Sequence, residues 1–535
     1  MRSKNIQKDL SLLGDKLINS FLLKNKKSLN IIDSFFSEKN ILEKSKTKKK
    51  KFENHYRNIL VEQLNKQYSN FKVSENTSKN INSLENSNTL TITTGHQICL
   101  YSGSLLLIYK IAQVISISRF LNSKIKNFNY VPVFWLATED HDFDEISTVN
   151  ISKNKIKWDI DTNNSSVGEI LLSEINELNE LYKNSIIDLN FKDKLEDIID
   201  YSYQNGDTLA ESTIKFINSI FGKYGLVIID ANKKVFKELF IDDFKNEIIG
   251  NRCSIDTNTQ ISKIKKLFNS YKPQVNPSEI NFFKITPKGR KRIRKKKDLF
   301  KVDDENEYTS EDLIKQIESN PELFSPNVLM RPLYQERILP NICYVGGPSE
   351  LGYWMQLKLY FNNSNLEYPI LKLRTTAYII DKKTSSKIKK SGVELKYFLQ
   401  KLDNLIDYKL KKLSTLSLSF DSLKGTLSSQ FDELREISIK TNKSFIGALN
   451  AQEKKQLKGI DDLEKKLIKA EKKNHEDQIN NIKMIFESLH PNNVDQERYL
   501  NFANFYSAEG QTLIDFLVDK VLIPDDKILV INLED

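Results

Sequence analysis

Four short stretches of the chain place groups capable of acid–base, anion-binding or acyl-transfer chemistry beside segments apolar enough to be core. The densest is Glu139-Asp140-His141-Asp142, directly after VPVFWLA at 131–137. Four ionisable groups next to a buried strand are costly unless solvated, paired or bound to something. A carboxylate beside His141 would fix one imidazole tautomer and raise its basicity, as a general base requires. Clustered oxygens also suit Mg²⁺, and the plain alternative is that the acids cap and charge the first turn of a helix. The second stretch is Thr94-Gly95-His96-Gln97, which closes the β-branched run LTITT. A glycine between strand and helix permits a tight turn and exposes helix N-terminal amides, an anion site beneath His96, unless it only reverses the chain.

The third stretch is Tyr344-Val345-Gly346-Gly347-Pro348-Ser349-Glu350, followed by Tyr353 and Trp354. Two glycines after a strand allow close backbone approach to a ligand, with Ser349 as the expected N-cap. No GK[ST] follows and GxGxxG is absent, so it is neither a Walker loop nor a dinucleotide fingerprint. The fourth is Met330-Arg331-Pro332-Leu333, together with Arg374 just after PILKL. Arginine forks there would clamp carboxylates at two points or pair with acids inside the protein.

The elements that position these stretches are legible in outline. LTITT, VPVFWLA, LVIID at 226–230, ICYV at 342–345 and PILKL at 369–373 are near-continuous apolar runs that alternate with helical patterns. That alternation predicts a parallel sheet covered on both faces, whose ligands bind at the carboxyl ends of the strands, where all four stretches fall. Residues 1–88 read as an N-terminal helical segment, 89–254 and 323–390 as two parts of the core, and 255–322 as a lysine-rich insertion with few strand signals. From 391 to 490 the strand signal disappears. Ile460, Leu463, Leu467 and Ala470 follow 3-4-3 spacing, as do Ile479, Ile482, Phe486 and Leu489 in another phase, which predicts a helical hairpin or short coiled-coil arm. Pro491 stops it, and 491–535 returns to the core.

At 535 residues the chain exceeds one ordinary core, and 39% hydrophobic with 10% aromatic residues excludes a disordered chain. Cys99, Cys253 and Cys343 lie far apart with no CxxC pair, which argues against a zinc ribbon or disulfide framework and for a reducing compartment. Cys99 and Cys343 sit in apolar settings and read as core residues, not nucleophiles. The N-terminal apolar residues are broken by Asp9, Asp15 and Lys16. No uninterrupted apolar run approaches the roughly 18 residues of a membrane span, so no membrane partner and a cytoplasmic location are expected. The formal charge of +10 concentrates in KSKTKKKK at 44–51 and KGRKRIRKKK at 288–297. Both read as solvated loops or helix ends, with no nucleic-acid partner expected; the competing reading is a basic coiled-coil scaffold or nucleic-acid-binding protein.

Taken together, TGHQICLYSGSLLLIYK, VPVFWLATEDHDFDEI, MRPLYQERILPNICYVGGPSELGYWMQLKLYF and HPNNVDQERYLNF resemble, in this order, the cysteine ligase family of bacillithiol biosynthesis. The resemblance spans essentially the whole chain. It departs at His96, where the family more often has glutamine, and in LKLRTTAYII. It implies an α/β fold with a Rossmann-like parallel sheet core, connecting insertions and a C-terminal α-helical coiled-coil arm that supports a homodimer. The implied reaction is an amide bond between the cysteine carboxyl and the amine of glucosaminyl malate. Kinship with nucleotidyl-transferring synthetases suggests ATP, with Mg²⁺, as the activating reagent, and no protein metal ligands are assigned. In that chemistry His141, backed by Glu139 or Asp142, takes the amine proton, with His96 as a further catalytic candidate. Gly95, Gln97, Asp140, Arg331, Gly346, Gly347, Ser349, Glu350, Tyr353 and Arg374 form the substrate- or nucleotide-binding set. Amides of the TGHQ and GGPS turns would meet the developing oxyanion, and Arg331 and Arg374 the two malate carboxylates. An amide-forming synthetase with a different amine is the alternative.

Overall fold

Five of the apolar runs become a five-stranded parallel sheet: β1 (Thr89–His96), β2 (Asn129–Leu136), β3 (Val227–Asp230), β4 (Asn341–Gly346) and β5 (Ile370–Leu373). The computed structural model describes all residues except 10–14, 152–153, 163–164, 303–305, 439–442 and 534–535. Strand order is β5-β4-β1-β2-β3, and every neighbouring pair is parallel. The chain moves outward from β1 through β2 to β3, then crosses back to place β4 on the other side of β1. That reversal is the topological switch point of a doubly wound sheet, and ligands bind outside the carboxyl ends of the strands beside it. The register sets Gly95 opposite Trp135, Thr94 opposite Val345 and Gly346 opposite Leu373, so the expected stretches do share one sheet edge.

Burial on both faces explains the composition of these strands. β1 is buried from Thr89 to Gly95, so its threonine hydroxyls need partners inside the sheet. Thr93 donates to Asn341 Oδ1 at 2.9 Å and Thr94 to the Val345 carbonyl at 2.8 Å, tying β1 to β4. Helix α1 (Leu105–Lys124) connects β1 to β2. Its length and hydropathy would suffice to cross a membrane, but 78% of its apolar window is buried inside the fold, as a core helix requires.

Several expectations need correcting. The N-terminal segment is not wholly helical, since Arg2–Gln7 forms a strand paired with Lys527–Asn532. KSKTKKKK is the second half of the helix Glu38–Lys51, and Lys48 is buried, 3.0 Å from Glu336 Oε2. Glu336 also accepts from Asn341 at 2.6 Å, so one lysine of a run read as solvated is a core strut. The insertion carries strands where few were expected. Phe282–Thr286 pairs antiparallel with Gly289–Arg292 and with Phe324–Pro326, and Arg294–Lys296 pairs with Leu299–Lys301. Charged side chains alternating along a strand hide its period from an apolar count, which is why KGRKRIRKKK read as a loop.

The chain divides into two units, residues 1–379 with 496–531, and residues 380–495 with 532–535. The second begins earlier than the arm read from sequence, because helix Lys382–Ser391 belongs to it. Within it α2 (Asp421–Ser438) and α3 (Lys443–Asn474) pack together. Lys424 meets Asp461 at 2.7 Å while Arg435 meets Asn450 at 3.1 Å, so the two helices run antiparallel. The arm is thus a helical hairpin, but its buried seam is displaced from the expected one. Leu463 is 58% exposed and Ala470 is exposed, whereas Glu453, Leu457, Ile460, Glu464, Leu467 and Glu471 occupy the covered stripe. Acidic residues there pair with Lys424 and Arg435 from α2, and such positions escape a search for apolar spacing.

Candidate active site

Along the carboxyl edge of β1, β2 and β4 lies a cleft of about 660 Å³ in the first unit. Part of its lining is built around Glu350. Glu350 belongs to the helix Pro348–Met355, which follows β4. Gly347 is its N-cap, Pro348 fills its first turn, and Ser349 is exposed within it and does not cap, contrary to expectation. Glu350 instead reaches back to accept from the Gly347 amide at 2.8 Å. Its other oxygen accepts from the Tyr344 hydroxyl at 2.9 Å, and Lys110 from α1 lies 2.6 Å away. Lys110 also donates to the Gly95 carbonyl at 2.8 Å. Burial alone would raise the Glu350 carboxyl, but Lys110 and the Gly347 amide outweigh it and hold it below its ordinary value.

This network revises both glycine turns. Gly95 lies within β1, and the α-helix starts only at Leu105, so TGHQ is not a helix N-terminus. The reversal is made further on, where Tyr101, Ser102 and Gly103 have φ of 47°, 68° and 62°. Asn501, from the late HPNNVDQERYLNF stretch, holds that strained turn by donating to the Tyr101 and Gly103 carbonyls at 2.8 and 2.6 Å. The Gly347 amide is consumed by Glu350, so the two turns do not offer free amides to one ligand. Gly346 is small because a Cβ there would lie 3.0 Å from the Tyr344 ring and 3.1 Å from Glu350 Cβ.

His96 and Gln97 line the cleft, as do Glu139 and Asp140. His96 Nδ1 sits 3.0 Å from the Gln97 carbonyl. A carbonyl only accepts, so Nδ1 carries the proton and Nε2 keeps its lone pair. Burial, reinforced by the Lys110 charge, pulls His96 down to about 4, so its ring is neutral near pH 7. The Gln97 side chain donates to Asp140 Oδ2 at 3.1 Å and to Glu145 Oε2 at 2.6 Å. Asp140 Oδ1 accepts from the His141 amide at 2.8 Å. Gln97 therefore links His96 to Asp140, fixing a neutral imidazole and a carboxylate at the ends of adjacent strands.

The rest of the acidic segment is deployed differently from the sequence expectation. Glu139 is paired with the buried Lys237, not with His141. Asp142 caps the short helix Phe143–Ile146 by accepting from the Glu145 amide at 3.3 Å. The His141 side chain is 52% exposed and lies outside the residues lining the cleft, with Asp140 3.6 Å from its Nδ1. Neither Glu139 nor Asp142 orients it.

The two arginines also part company. Arg331 lines the cleft, donates to Gln335 at 3.1 Å, and lies over the Tyr344 ring at 5.8 Å; Tyr353 lines the cleft with it. Arg374 is buried, and its fork is filled by Glu497 at 2.8 and 2.6 Å, which removes it as a substrate clamp. Sequence reasoning missed Lys110 and took Arg290, Arg292 and Arg294 for a solvated run, yet all four line the cleft, as does Tyr344. Cys343 is buried as expected, whereas Cys99 is only half-buried, its thiol pushed up to about 12 by desolvation. Among the described residues no three His, Cys, Asp or Glu side chains are grouped to hold a metal ion.

Comparison with known proteins agrees with this architecture. Residues 1–375 match the family model described as the N-terminal Rossmann-like domain of bacillithiol biosynthesis BshC, and residues 377–533 match its C-terminal coiled-coil domain. A Christiangramia forsetii protein named "Putative cysteine ligase BshC" is 38% identical over 509 residues, 94% of each chain. One of the same name from Flavobacterium psychrophilum is 38% identical over 95% of each chain, and one from Bacillus cereus is 26% identical over 89% of this chain and 91% of its own.

Proposed function

This chain belongs to the bacillithiol biosynthesis BshC family, and from that premise we propose that it is a ligase joining the carboxyl group of cysteine to the amine of glucosaminyl malate. The observation that carries the reading is the cleft at the switch point of the sheet, lined by His96, bonded to the Gln97 carbonyl, and by Asp140, bonded to the Gln97 side chain. Amide formation needs an activated acyl group, an amine that loses a proton, and a site that excludes competing water. Asp140 is the carboxylate of its segment that lines the cleft without a salt bridge to a lysine or arginine among the described residues, and it is the proton acceptor for the attacking amine. His96, neutral and with Nε2 bare, accepts a hydrogen bond from that amine and orients it. Glutamine would serve the same purpose, because no proton is stored there. Catalysis by His141, paired as the sequence suggested, is not part of this reading.

Activation of the cysteine carboxyl is assigned to ATP with Mg²⁺, which would supply a leaving group. Arg331, at the switch point and free of a paired carboxylate among the described residues, is the residue placed to meet its phosphates. The exposed Leu423, Leu434, Ile437 and Leu463 leave apolar surface on the helical hairpin, which supports a homodimer through the arm. We assign the protein to the cytoplasm, without a nucleic-acid partner. The test is a reconstitution in which cysteine, glucosaminyl malate and ATP are omitted one at a time and bacillithiol is sought by mass. Product only in the complete mixture supports the ligase, and product without ATP removes that activator. A monomer in light scattering at micromolar concentration would remove the dimer.

A further inference from the structure

We propose that Arg290, Arg292 and Arg294, which line the cleft, form the subsite that reads the dicarboxylate end of the amine substrate. The inference rests on the ligase reading above and names residues it leaves unused. The three arginines stand two apart in KGRKRIRKKK, and all three line the cleft. In the strand Gly289–Arg292 alternation turns Arg290 and Arg292 to one side, while Lys291 falls opposite Lys284, whose ammonium lies over the Tyr308 ring.

The hairpin is held in place independently of any ligand. Arg290 stacks over the Phe283 ring at 4.1 Å and donates to the Pro326 carbonyl at 2.7 Å, yet its Nε is enclosed without a hydrogen-bond partner among the described residues. A buried donor left open in this way calls for an acceptor. Arg292 and Arg294 are exposed and carry no ion pair among the described residues. Charge within the cleft points to the ligand class. Lys110 neutralises Glu350 and Lys237 neutralises Glu139, which leaves four arginines facing Asp140 and Glu279. With Arg331 assigned to phosphate, Arg290, Arg292 and Arg294 are the cations left for the two carboxylates, and planar forks bind carboxylates at two points.

The experiment uses the double variant Arg292→Gln/Arg294→Gln in the full chain, since neither exposed side chain supports the fold. KM for glucosaminyl malate should rise about tenfold or more, with kcat within about twofold and KM for ATP and cysteine unchanged. The dimethyl ester of the amine substrate, its carboxylates masked, should bind wild type and variant alike. Calorimetry of glucosaminyl malate and of inorganic triphosphate with both proteins reads the subsite without turnover, so it stands even if wild type yields no amide and the ligase reading fails. Equal binding of glucosaminyl malate by both proteins, or by neither, overturns the proposal. So does a loss confined to ATP or triphosphate, which would make the hairpin a phosphate site.

Discussion

Arg331 and Arg374 follow similar sequence signals and occupy opposite regimes. Arg374 and Glu497 are 3% and 2% exposed, and the carboxylate fills the arginine fork, so nothing is left for a ligand. Glu497 also accepts from the Ala377 amide at 3.2 Å, which locks the pair into the backbone. Arg331 touches Gln335 and the Tyr344 ring but has no paired acid among the described residues, and it lines the cleft. The difference teaches that an arginine near a sheet edge is functional only if its charge is left unanswered inside the protein. A saturated pair serves folding instead.

Substitutions should separate the two. Arg374→Met leaves Glu497 buried without its partner and should cost roughly 3–5 kcal/mol of stability in urea denaturation, while the folded fraction keeps its specific activity. A loss of activity with stability intact would erase the contrast. Arg331→Met should act the other way, lowering kcat/KM by roughly 1.5–3 kcal/mol with little change in the denaturation midpoint. An unfolded Arg331→Met protein would show that this arginine, too, is structural.

A smaller effect comes from His96 and has a definite sign. Its folded value near 4 lies below the ordinary 6.5, so between those values the unfolded chain binds a proton that the folded chain refuses. His96 therefore removes stability as pH falls through that window, about 1–2 kcal/mol by pH 5. His96→Gln should flatten the fall in melting temperature between pH 7 and pH 5 and retain most activity. Retention of the full slope would contradict the assigned neutrality.

Much of the sheet was legible because strands buried on both faces leave unbroken apolar runs, and the order of those runs gave an α/β core. The carboxyl-edge rule gathers His96, Gln97, Asp140, Arg331 and Glu350 from the sequence alone. What stayed hidden depends on partners distant in sequence. Lys110 sits inside an apolar helix pattern, and only the fold brings it to Glu350. Glu139 looked like an ally of His141, yet it faces Lys237, 98 residues away in sequence. Ser349 looked like a cap, but Gly347 with Glu350 reaching back caps the helix equally well. The arm was recognisable as helical, whereas its seam was not, because acids salt-bridged across it took places that apolar spacing alone would assign to leucine.

The central claim is that proton transfer belongs to the cleft-facing Asp140 and not to its exposed neighbour. The most direct measurement is the rate of bacillithiol formation at saturating substrates by Asp140→Asn and His141→Ala, each beside wild type. The account predicts that Asp140→Asn loses about a hundredfold or more in kcat while His141→Ala stays within about threefold. The reverse ranking, with His141→Ala inactive and Asp140→Asn near wild type, would contradict it.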